Sequence, residues 1–157
     1  MSSPIVWLPL SRNPLYIAVL CGFLVQTLKF VTSSIREKRF NFRRLVETGG
    51  MPSSHSAGVA ALSTAVGLRA GFGSVLFAVT VYFSLIVMYD AAGLRRAAGR
   101  QATLLNRLID SHYRHDKRLV EIKLLELLGH TPLEVLAGAV AGVLFTLGWM
   151  YLGGHLG

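Results

Sequence analysis

The sequence predicts an all-α integral membrane bundle with about four transmembrane helices and a polar site gathered at one membrane face. Three observations carry this. The chain is 52% hydrophobic and 15% charged, with a mean hydropathy of +0.51, a balance that suits a bilayer better than water. Its apolar stretches are nearly free of charge: residues 14–28 carry none, 57–89 carry only Arg69, and 135–157 contain no Asp, Glu, Lys or Arg. The basic residues crowd between those stretches, since all but Arg12 and Arg69 of the 16 Lys and Arg are Lys29 or lie within 36–44 or 95–123.

A spanning helix needs about 20 apolar residues. The first is expected over 13–31, with Lys29 snorkelling at its end. The stretch 54–89 is long enough for a hairpin turning at "GLRAGFG" (67–73), its arms over 54–68 and 72–92, the first short for a full span. The last helix is expected over 132–152. Four crossings put 32–53 and 93–130 on one side, and their basic content makes that side cytoplasmic. The N-terminus lacks the pattern of a cleaved signal, because its first basic residue, Arg12, follows an apolar segment instead of preceding one. Lone Cys21 has no partner for an internal disulfide. No repeat divides the chain, and 1–157 reads as one membrane-embedded domain. Four helices form a thin bundle whose lateral packing a homodimer would complete.

The net charge of +8 and pI near 10.3 raise the question of nucleic acid. The basic residues flank membrane segments, which favours membrane lipids or an amphiphilic phosphate as partner and no nucleic acid.

Four polar groups fall at helix ends on the basic side. Lys29 and Arg36 close the first helix, "PSSHS" (52–56) opens the second, "YDAAGLRR" (89–96) closes the third, and "GHTPLEV" (129–135) opens the fourth. Ser53 or Ser54 can cap a helix whose free N–H groups attract phosphate. His55 lies in that helix's first turn, where the dipole disfavours imidazolium. Thr131 and Pro132 read as another helix start, directly after His130. Lys29, Arg36, Arg95 and Arg96 offer positive charge to oxygens that gain negative charge in a transition state. Each piece also has a plainer reading: Glu134 completes a capping box with Thr131, the serines only cap, and the arginines only set topology. Asp90, a carboxylate at the inner end of an apolar helix, calls for a partner and is placed in a supporting role. His112 and His115 in "SHYRHD" have a spacing that suits a metal, but they sit in a charged stretch with no further ligand run.

Together, "GGMPSSHSA", "YDAAGLRRAAGRQA" and "LGHTPLEVLAG" resemble the divergent membrane branch of the type 2 phosphatidic acid phosphatase and vanadium haloperoxidase superfamily. The resemblance covers about residues 28–142. Lys29 and Arg36 fit its Lys-x6-Arg-Pro motif, with Glu37 in place of proline. Pro52, Ser53 and His55 match Pro-Ser-Gly-His, with Ser54 in place of glycine. His130 matches the nucleophile of the last motif, and Glu134 stands where an aspartate would orient it. The Ser-Arg pair of that motif is replaced by Lys123 and Leu124, and Arg95 or Arg96 is expected to take the arginine's role.

The resemblance implies a lipid-phosphate phosphatase without metal or cofactor. His130 would form a phosphohistidine, Glu134 would hold its ring, and His55 would act as general acid and then base. Lys29, Arg36, Ser53, Ser54 and Arg95 or Arg96 would hold the phosphate. The alternative is a degenerate member that binds or moves phospholipid headgroups without cleaving them. A metal site from His55, His130 and Glu134 is a third, lesser reading.

Overall fold

The computed structural model describes residues 9–38, 50–112, 124 and 129–153. A short 3-10 turn (Leu10–Arg12) leads into α1 (Pro14–Glu37), followed by α2 (Ser54–Ala70), α3 (Val75–Ala92), α4 (Leu94–His112) and α5 (Pro132–Leu152). No strand occurs among the described residues.

Local chemistry sets the helix ends. Asn13 caps α1 by accepting the Leu15 N–H at 2.9 Å, with Pro14 at the first helical position, where its missing N–H costs no bond. Ser53 and Ser74 cap α2 and α3 in the same way. α2 stops at Gly71, whose φ of 90° suits glycine. Thr131 opens α5 through a capping box with Glu134.

α2 is the hub, packing against α1, α3 and α5. Its interior positions are small: Ala57, Ala60, Ala61, Ser63 and Ala65 are all buried. Small side chains let backbones approach where lipid offers no hydrophobic drive between helices. α5 comes closest, since a Cβ at Gly138 would run into the Ser53 carbonyl and one at Gly142 into the Ala57 carbonyl. Hydrogen bonds stitch the same interfaces. Thr146 Oγ1 donates to the Ala61 carbonyl at 3.3 Å, and the Ser63 and Ser84 hydroxyls lie 2.8 Å apart. α1 rises well past the start of α2, because Ser54 is level with Gly22 and its hydroxyl donates to Gln26 Oε1 at 2.9 Å.

Among the described residues, three helices are long and apolar enough to cross a membrane: α1 over Pro14–Ile35, the apolar part of the stretch that begins with α3, and α5. α2, at 17 residues, is roughly 25 Å long and runs through the bundle between them. Large apolar side chains such as Phe23, Leu85 and Leu144 face outward, as a lipid-facing surface requires. The structure thus bears out the all-α membrane bundle. Three details differ from the expectation. α1 runs on to Glu37, six residues past its expected end. α2 runs two residues further, so the turn is at 71–74. Much of the basic stretch after residue 93 is helix α4, which follows α3 directly after Gly93. Its buried Gly99, Ala102 and Asn106 mark one helical face.

Candidate functional site

Three of the expected helix ends, those of α2, α3 and α5, meet, and Lys29 joins them from within α1, which runs on to Glu37. The His130 N–H donates to the Ala91 carbonyl at 3.1 Å, tying the start of α5 to the end of α3. The Ser53 N–H donates to the Glu134 carbonyl at 3.0 Å, tying α2 to α5. Lys29 of α1 acts electrostatically on both Glu134 and His130.

The centre of this junction is His130, which is 2% exposed. Its Nδ1 lies 3.2 Å from Glu134 Oε2, and the same oxygen accepts the Thr131 N–H at 3.0 Å. Glu134 therefore serves the helix cap and the histidine at once. A carboxylate beside Nδ1 keeps the proton there and leaves Nε2 with its lone pair. Nε2 is buried and has no hydrogen-bond partner among the described residues. An unsatisfied buried ring nitrogen costs stability, and such atoms call for a functional explanation. Burial pushes the ring's pKa down. Glu134 opposes the shift, the Lys29 cation reinforces it, and the Gly50 backbone opposes it. The net effect favours the neutral ring.

Beside the pair lies a cavity of about 440 Å³. α4 lines one side with Arg96, Gly99, Arg100 and Thr103, and the start of α5 lines the other with Gly129, Thr131 and Glu134. Gly50, at φ 79°, closes the rim. Positions 96, 99, 100 and 103 share one face of a helix. Sequence reasoning misses Arg100 and Thr103, because the stretch does not read as a helix. The i, i+3, i+4, i+7 spacing is the signal that could have found them.

The remaining expected residues fall as follows. Ser53 is fully buried, and its N–H, carbonyl and hydroxyl are engaged by Glu134, Ala57 and Ser56. Ser54 is turned toward Gln26. His55 is exposed on the first turn of α2, and Asp90 is half-buried at the end of α3. The side chains of Arg36 and Arg95 lie outside the described part of the structure, as do those of His112 and His115. Among the described residues, no group of three His, Cys, Asp or Glu converges in a way that could hold a metal.

Comparison with known proteins agrees with this architecture. The divergent PAP2 family matches residues 10–145. The chain is also 40% identical over 148 residues to the "Uncharacterized membrane protein YuiD" of Bacillus subtilis (strain 168), covering 88% of this chain and 94% of that one. No solved structure matches. With the family match running from the 3-10 turn into α5, and the helix ends meeting around the His130–Glu134 pair, the chain belongs to the divergent PAP2 family of membrane proteins.

Proposed function

We propose that this protein is a lipid-phosphate phosphatase working through a phosphohistidine on His130, with its polar site on the cytoplasmic face. The observation that carries the reading is the neutral, Glu134-bound imidazole whose Nε2 keeps an unused lone pair. A nucleophile needs that lone pair and an oriented ring. Nε2 attacks phosphorus, and the bond to the ester oxygen breaks. His55 gives its proton to the departing alkoxide. The same histidine then takes a proton from water, whose oxygen attacks the phosphohistidine and releases inorganic phosphate. Glu134 stabilises the ring as it becomes positive. Lys29 and Arg96, with Arg36 or Arg95, neutralise the phosphoryl oxygens.

A second reading, headgroup binding or movement without hydrolysis, draws on two other observations. Nε2 is sealed from solvent, and the Ser53 N–H that would meet a phosphate oxygen is given to Glu134. One experiment separates the two. Protein in nanodiscs is incubated with ³²P-labelled phosphatidic acid, phosphatidylglycerophosphate and polyprenyl phosphate, then quenched in alkali. Base-stable, acid-labile label on the protein that is absent in His130→Ala, together with vanadate-sensitive phosphate release, is the expected result. Binding of the lipids with neither label nor release would put the headgroup-binding reading in its place.

A further inference from the structure

A second cavity of about 630 Å³ lies between α3 and α5. Its walls are apolar, with Leu85, Tyr89 and Ala92 on α3 and Pro132, Leu136 and Ala139 on α5. Each set repeats at helical spacing, so each is one continuous stripe along its helix. The groove opens on the lipid-facing side, where Leu85, Tyr89 and Leu136 are exposed.

One end of the groove lies beside the polar cavity. Consecutive residues of α5 line the two in alternation: Thr131 and Glu134 line the polar one, Pro132 and Val135 the apolar one. On the α3 side, Ala92 lines the groove, and the carbonyl of its neighbour Ala91 holds the His130 N–H. From this adjacency we infer that the two cavities form one bipartite site for an amphiphilic phosphate monoester. Arg96 and Arg100 of α4 act as headgroup ligands, and the α3–α5 groove holds the first part of the hydrocarbon chain. This deepens the phosphate-site reading above and rests on it.

The physical case lies in what each part spares the ligand. Seven residues separate the ends of each stripe, so the groove is roughly 10 Å long. A chain lying there never leaves apolar surroundings, while its head moves only from the membrane interface into a pocket with two arginine side chains. Arg guanidinium forks suit phosphate oxygens. The alanines at 92 and 139 leave room for the chain. Entry is lateral, from the bilayer, whereas a water-soluble phosphate reaches only the polar half.

The test uses ligands that cannot be hydrolysed. Dodecylphosphonate and inorganic phosphate are titrated into the full chain in phosphatidylcholine nanodiscs, with empty nanodiscs as background. Ala139→Trp fills the groove. It should weaken dodecylphosphonate at least ~10-fold by overpacking, leave inorganic phosphate unchanged, and contrast with the outward-facing Val140→Trp, which should change neither. Arg100→Gln should weaken both ligands. Dodecylphosphonate binding to Ala139→Trp at wild-type strength would overturn the inference. If Ala139→Trp loses both ligands, Ile86→Trp on the facing wall decides: selective loss of dodecylphosphonate supports the groove, and any other pattern overturns it. Wild-type binding of dodecylphosphonate without phosphate release from dodecyl phosphate would sink hydrolysis and leave the bipartite site standing. Release that survives in Ala139→Trp together with wild-type dodecylphosphonate affinity would do the reverse.

Discussion

The two ends of the bundle handle polar groups in opposite ways. At the end where α1 begins and α5 finishes, Trp149 Nε1 donates to the Ser11 carbonyl at 2.9 Å, and the Arg69 guanidinium donates to the Arg12 carbonyl. Tyr16 packs against Trp149 with ring centroids 6.3 Å apart. Donors there meet backbone oxygens and aromatic bodies, as an interfacial anchor requires. At the other end a carboxylate, a lysine and a histidine meet among three helix termini and the flank of α1, and the histidine keeps one buried nitrogen unbonded. An end that only holds helices together satisfies its donors. One that leaves an acceptor open at a structural cost has another use for it.

The contrast breaks most sharply at His130. Its replacement by Ala is expected to lower phosphate release at least ~10³-fold, as loss of a nucleophile does. The unfolding temperature should hold or rise, because an unsatisfied buried nitrogen leaves with the ring. Equal loss of release in Arg69→Ala would erase the distinction between the ends. Next comes the packing that brings the polar end together. Gly142→Val should destabilise the protein by about 1–3 kcal/mol through overpacking against Ala57, read as a fall in unfolding midpoint in detergent.

A smaller effect follows the pH. The folded chain holds the His130 pKa below the ordinary imidazole value of 6.5, so the unfolded chain binds more protons in the window between the two. The associated stability is fully present above pH 6.5 and is lost as pH falls toward the folded value. Turnover should fall only lower, as pH passes through the folded value, because there the folded ring itself becomes protonated and is no nucleophile. Melting curves of wild type and His130→Gln between pH 5 and 8 check the sign, and a limb that persists in the variant would assign it elsewhere. Smallest is Trp149→Phe at the anchoring end. It should cost about 0.5–1.5 kcal/mol for one lost hydrogen bond and leave phosphate binding unaltered.

Much of this arrangement is legible in the amino-acid sequence. The charge-free runs predict α1, α3 and α5, because a bilayer demands length and apolarity that few other settings do. Thr131, Pro132 and Glu134 announce the start of α5. The two readings of Glu134, cap and ring partner, are compatible, because one oxygen accepts from both the Thr131 N–H and His130. α4 is hidden, since its arginines lower the mean hydropathy of a helix whose apolar face is only a stripe. Arg100 and Thr103 are hidden with it. The competition for the Ser53 N–H is also invisible, as it depends on how closely Gly138 lets α5 approach α2. So is the clamp in which the Asn106 amide both donates to and accepts from the Leu124 backbone, a pairing set by tertiary placement alone.

α1 continues for about eight residues beyond Lys29, roughly 12 Å of helix, while α2 begins level with Gly22 and Gln26. The polar floor is therefore the bottom of a well sunk below one of its own walls. On the reading proposed above, a headgroup must descend to reach it, and the depth of that descent depends on where the surrounding lipids place their own phosphates. Bilayer thickness becomes a control on access, so the same protein would work at different rates in thin and thick membranes without any change in its own chemistry.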